Sequence, residues 1–159
     1  MYMSLRLLVA MALLVACGHL CAAAPTVTLA SGAKVQLTDN ALAPLQKRSV
    51  TATSHGKTAS YEGYDLLAVL RAAGVEPVES LRGKHLGATV AVSAADGYRV
   101  VFSLAELDPT LGNKQVFLVD RENGQALPSG DGPWRLVVPS DRRPARWVRQ
   151  VVSMVMSGP

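Results

Sequence analysis

Short β-branched runs, each ended within a few residues by a turn signal, constrain this chain more than any other feature. Thr89-Val90-Ala91-Val92-Ser93 and Arg99-Val100-Val101-Phe102-Ser103 are joined through Ala95-Asp96-Gly97, and Asp-Gly between such runs is a strong hairpin signal. Val27-Thr28-Leu29 and Lys34-Val35-Gln36-Leu37 flank Ser31-Gly32 in the same way. Arg48 to Thr53 reads as a strand that His55-Gly56-Lys57 turns into Thr58 to Tyr61. Val116 to Asp120 reads as a buried strand with a turn at Glu122-Asn123-Gly124, and Trp134 to Val138 as a strand ended by Pro139. Val148 to Met156 alternates weakly and is expected to close the sheet.

Helical signals are fewer. Asp65 is a good N-cap for Leu66 to Ala73, in which Leu66, Leu67, Leu70 and Ala73 recur at helical spacing and Gly74 stands where a helix stops. Thr38-Asp39-Asn40 offers caps for a short helix through Leu42 and Leu45, and Leu104 to Leu107 is a second short helix, stopped by Asp108-Pro109. Strands outnumber helices and hairpins outnumber helical crossovers. The fold class is therefore α+β, a mixed, mostly antiparallel sheet with short helices. Gly63, Gly97, Gly124 and Gly132 read as turn residues, and Trp134 and Trp147 as core or rim packing.

The first 23 residues have the three-part order of a signal peptide. Arg6 supplies positive charge, Leu7 to Cys17 is an apolar run of eleven residues, and Ala22 to Ala24 offers small side chains for cleavage. A bilayer-spanning helix needs about 20 such residues. Pro25 disfavours cleavage after Ala24, so the expected cut follows Ala23 and leaves one domain, residues 24–159. Leu14-Val15-Ala16-Cys17-Gly18 also resembles a lipoprotein box, in which an acylated Cys17 would tether the domain to a membrane. The expected location is periplasmic or secreted, with membrane contact only if Cys17 is lipidated.

Residues 24–159 number 136, enough for one domain. Both cysteines precede them, so this region forms no disulfide of its own despite an oxidising destination. Without Arg6 the chain carries 15 basic against 12 acidic residues, a mild net +3 that gives no support to a nucleic-acid partner. The distribution says more. Arg135, Arg142, Arg143, Arg146 and Arg149 place five of the ten arginines after residue 23 within fifteen positions, a plausible receptor for phosphate or carboxylate.

Several segments together resemble the sulfite oxidase-like molybdopterin-binding domain family. Tyr61-Glu62-Gly63-Tyr64-Asp65-Leu66-Leu67-Ala68-Val69-Leu70 is similar to its Y-x-G-x-x-L-x-x-L-L segment. Ala95-Asp96-Gly97-Tyr98 with Phe102-Ser103-Leu104 resembles its A-D-G-Y hairpin, and Asn123-Gly124 with Leu127-Pro128 its N-G-x-x-L-P turn. Gly132 to Pro139 resembles its G-P-x-R-L-V-V-P strand, with Arg146-Trp147-Val148 matching the segment beyond. The resemblance covers most of residues 24–159 and points to the small single-domain exported members.

The resemblance also implies a departure. The family's enzymes hold molybdenum through a pterin enedithiolate and one protein cysteine, which follows the strand that here is Arg48 to Thr53. Ser54-His55-Gly56 stands there, and no cysteine follows residue 21. Soft thiolate ligation is therefore impossible within residues 24–159. Catalytic residues and a metal site are accordingly not expected, and no bound cofactor, although the family itself implies a molybdopterin. His55 is a candidate to contact an anion or pterin, or else a solvated turn residue. Arg146 matches the basic position before Trp147 in the family's phosphate-contacting segment, with Arg142 and Arg143 in the loop leading to it; alternatively Arg142 and Arg143 are a solvated loop face and Arg149 an edge-strand charge. His85 reads as an exposed loop residue, and no serine has the partners of a hydrolase.

Three functions follow as expectations. The leading one is a non-catalytic ligand-binding or accessory module for an anionic small molecule or pterin, in which replacing Arg146 by alanine lowers affinity. The others are a molybdopterin-dependent oxidoreductase using Ser54 or His55 as an altered ligand, and a protein-binding component of the envelope.

Overall fold

Local turn chemistry decides most of the architecture. The computed structural model describes residues 24–75 and 81–158; the expected leader lies outside them. Ten strands and three short α-helices follow one another as β1 (Thr26–Thr28), β2 (Lys34–Gln36), α1 (Asp39–Leu42), β3 (Arg48–Ser54), β4 (Lys57–Asp65), α2 (Leu66–Ala72), β5 (Thr89–Ala94), β6 (Arg99–Ser103), α3 (Leu104–Leu107), β7 (Phe117–Glu122), β8 (Gln125–Ala126), β9 (Arg135–Val137) and β10 (Val151–Ser157). The caps act as their residue types require: the Thr38 and Asp65 side chains accept from Ala41 N and Ala68 N, opening α1 and α2. Ser103 does the same for α3 by accepting from Ala105 N at 3.0 Å.

The strands divide into two five-stranded sheets. One runs β2-β1-β10-β5-β6; the other runs β3-β4-β7-β8, with β9 also paired to β7. All pairings are antiparallel except β1 with β10, so the α+β class with mostly antiparallel strands holds. The segment expected to close the sheet has a different place. β10 is the central strand of the first sheet, in parallel register with β1 (Val27 opposite Met154) and antiparallel to β5 (Met154 opposite Val92). Its weak alternation has a physical source, a register shift between Val151 and Ser153 that breaks the two-residue period.

One hydrophobic cluster joins the inner faces of both sheets and the three helices. Val27, Val90, Phe102 and Met154 enter it from the first sheet, Tyr61, Leu118 and Leu136 from the second, and Leu42, Leu66, Leu70 and Leu104 from the helices, all essentially buried. A fully buried leucine or phenylalanine contributes about 1.5–3 kcal/mol, so this cluster is the main stabilising element in a region without disulfides.

One of the four expected turn glycines acts otherwise, while Gly132 donates its N–H to Pro128 O to close a turn. Gly97 and Gly124 do have positive φ, 86° and 78°. Gly63 instead lies inside β4, at the register shift opposite β7; a Cβ there would overlap the backbone of Leu118 and Val119. Close strand approach is its reason. Gly132 precedes a cis bond to Pro133 and lies buried against Leu127.

Candidate functional site

Three loops and the entry to β10 enclose a cleft of about 570 Å³. The β3–β4 turn contributes Ser54 and His55, the β5–β6 turn Asp96 and Tyr98, the segment before β9 Asp131, and the approach to β10 Trp147, Arg149 and Gln150, with Arg135 of β9 also in the lining. The β3–β4 turn is as tight as a hairpin allows. Ser54 pairs with Lys57, and His55 and Gly56 between them both have positive φ, 51° and 77°, the geometry of a type I′ turn. Histidine is one of the few non-glycine residues enriched in this region of backbone space.

Hydrogen bonds fix the other walls. In the β5–β6 turn Asp96 Oδ1 accepts from Tyr98 N at 2.9 Å, and the Tyr98 hydroxyl donates to Ala145 O at 2.6 Å, tying this hairpin to the loop before β10. Gln150, at φ 46°, links three segments: its N–H donates to Asp131 O, its carbonyl accepts from Ala95 N, and its side-chain amide donates to Ser129 O.

Two arginines reach this cleft, and they are held differently. Arg135 donates from Nη1 to Asp131 Oδ2 at 2.8 Å, with its side chain 12% exposed. Its guanidinium lies 5.6 Å from the Trp147 ring and 5.9 Å from the Tyr61 ring, while those rings meet edge to face at 5.7 Å. Arg135 Nε is buried and has no hydrogen-bond partner among the described residues. Arg149 is 63% exposed and reaches Asp131 Oδ1 only at 3.7 Å, a contact worth no more than about 1 kcal/mol. Burial, then the nearby Glu122 carboxylate, pushes the Tyr61 hydroxyl above its usual range, so Tyr61 stays a neutral donor; it donates to Glu122 Oε1 at 3.4 Å.

Arg146 is engaged elsewhere. Its Nε and Nη2 donate to both oxygens of Asp141, at 2.8 and 2.7 Å, and its Nη1 donates to Glu106 Oε1 at 3.0 Å. Its guanidinium stands 4.9 Å from the Phe102 ring, and Lys114 approaches Asp141 at 3.2 Å. The hydrogen bond from Arg146 holds the Asp141 carboxyl below the usual carboxylate range, against an opposing push from burial, and the same bond raises Arg146. Bidentate pairing fills the fork of the guanidinium. Arg142 and Arg143 are exposed, make no ion pair among the described residues, and do not line the cleft.

Of the residues singled out in the sequence, the structure thus brings His55 and Ser54 to the cleft and leaves Arg142, Arg143 and Arg146 outside its lining. Those three arginines do not gather at this cleft. Arg146 fastens α3 to the loop after β9, and the cations at the cleft are Arg149 and Arg135. His85 is exposed in a single 3-10 turn, Gly83–Gly87, and Trp147 is buried, as their patterns indicate. Asp131 has no local sequence signal, because nothing nearby marks an aspartate that pairs with an arginine four residues on at a strand entry.

No family model matches the chain, and no curated protein sequence matches it. Solved structures do. The sulfane dehydrogenase SoxCD from Paracoccus pantotrophus superposes with a TM-score of 0.63 at 19% identity, over 84% of this chain and 37% of that one. The likeness shows the sulfite oxidase-like fold and that fold alone; this chain spans little more than a third of the protein it matches.

The donor set at the cleft does not fit a thiolate-held molybdenum. Ser54 and His55 occupy the turn, residues 24–159 contain no cysteine, and among the described residues no group of three or more potential ligands gathers. A hydroxyl and an imidazole are harder donors than thiolate and select different metals.

Proposed function

We propose that this chain is an exported, non-catalytic ligand-binding module that takes a small anionic molecule in the cleft between the β3–β4 turn and the approach to β10. One observation carries the reading: Ser54 and His55, at the position where the family resemblance implies a thiolate, line the cleft, while Arg149 stands at the same cleft held only at 3.7 Å. An incoming oxyanion outcompetes so weak a contact, because a charge-assisted hydrogen bond contributes about 1.5–3 kcal/mol. Arg146 takes no part, since recruiting it would unpair Asp141 and Glu106.

The test is a calorimetric titration with inorganic phosphate and, separately, with a pterin. Binding that falls about tenfold in Arg149→Ala and is unchanged in Arg142→Ala agrees with the proposal. Affinity indifferent to Arg149 overturns it. A second reading, an oxidoreductase that holds its metal through Ser54 or His55, rests on the same two side chains lining the cleft. Elemental analysis separates it from the first.

A further inference from the structure

We propose that the ligand of this cleft is an oxyanion that also bears an ammonium group, taken up between Arg149 at one end and Asp96 at the other. The inference rests on the anion reading above and adds the second charge. Two guanidinium groups and two carboxylates line the cleft. One pair is closed, with Arg135 Nη1 donating to Asp131 Oδ2 at 2.8 Å. That leaves Arg149, whose contact with Asp131 Oδ1 is the loose one at 3.7 Å. It also leaves Asp96, which has no ion pair among the described residues.

The β5–β10 ladder sets these two residues across from each other. Val151 lies opposite Ala94, and Gln150 O accepts from Ala95 N at 3.0 Å. Arg149 and Asp96 come next on the two segments. The backbone leaves strand geometry there: Gln150 has φ 46°, and Asp96 lies in the β5–β6 turn. No ion pair joins them, although both line the cleft. Asp96 Oδ1 accepts from Tyr98 N at 2.9 Å, and its Oδ2 has no hydrogen-bond partner among the described residues. Tyr98, half exposed and held by its hydroxyl to Ala145 O, brings an aromatic ring to the same wall. A carboxylate beside an aromatic ring suits an ammonium.

A plain oxyanion uses only half of this arrangement. Bound at Arg149, it shares the cleft with the Asp96 carboxylate, a like charge that repels it. An ammonium on the same molecule turns that repulsion into attraction. Asp96 is exposed, so the gain is that of an exposed ion pair, about fivefold in affinity.

The experiment is calorimetric titration of the purified protein with aminoethyl-, aminopropyl- and aminobutylphosphonate, each against the alkylphosphonate that lacks the amine. At least one amine should bind about fivefold tighter than its amine-free counterpart. Asp96→Asn keeps an Oδ1 for the turn, so its thermal transition should match wild type, and in it that advantage should vanish. Arg142→Ala should retain it. Equal affinity within every pair overturns the inference and leaves the anion reading standing. An advantage that persists in Asp96→Asn overturns the assignment of the ammonium to Asp96. If neither inorganic phosphate nor any phosphonate binds, both readings fall.

Discussion

Arg146 and Arg149 stand three positions apart and do opposite things. Arg146 is saturated: both oxygens of Asp141, Glu106 and the face of Phe102 account for its guanidinium, and 30% of the side chain is exposed. Arg149 is twice as exposed and has one loose contact at a cleft. Charge is the same at both positions, so charge alone says nothing about function. Whether a guanidinium is free to bind depends on how many internal acceptors it already has, and on what breaking them costs.

That contrast can be attacked directly. The largest effect is expected from Arg146→Ala, which leaves two carboxylates without their partner and should destabilise the fold by about 2–3 kcal/mol in urea unfolding, with anion affinity unchanged. Equal stability of Arg146→Ala and wild type would break the comparison at its closed end. Next comes acid sensitivity. Arg146 depresses Asp141 below its ordinary value of 3.8, so the stabilisation from this pair is present above that value and is lost as pH falls below it. Asp141→Asn should lower stability at neutral pH and flatten the acid limb of the stability curve. A limb as steep as wild type contradicts the assignment.

Asp131→Asn tests the open end. It removes the carboxylate that competes for Arg135 and Arg149, so phosphate affinity should rise a few-fold while stability falls by about 1 kcal/mol, read by titration and unfolding on the same sample. The smallest effects belong to Arg142→Ala and Arg143→Ala, each expected within about 0.5 kcal/mol of wild type and without influence on binding. A loss of affinity in either would return those arginines to the site.

The sequence shows why this contrast was only half legible. Hairpins are encoded by neighbours. Asp96-Gly97 and Asn123-Gly124 carry the positive φ their turns require, and so β5–β6 and β7–β8 could be read directly. So could α2, from Asp65 and the leucine spacing. The place of β10 is set by pairing with Thr26 to Thr28 at the far end of the chain, and no local pattern announces a parallel neighbour so distant. The same holds for the site. His55 was visible because it interrupts a strand at a turn. The fate of Arg146 depends on Glu106, forty positions earlier, and the role of Gly63 on the backbone of β7.

The proposed anion site is a cleft lined by Arg135 and Arg149, in a region that has no thiolate for molybdenum. Its most direct test is molybdenum content, measured by elemental analysis of the native protein purified from the envelope of cells that make molybdopterin. Well below one molybdenum per chain, with phosphate binding intact, is the predicted result. One molybdenum per chain, lost on changing Ser54 or His55, would contradict it.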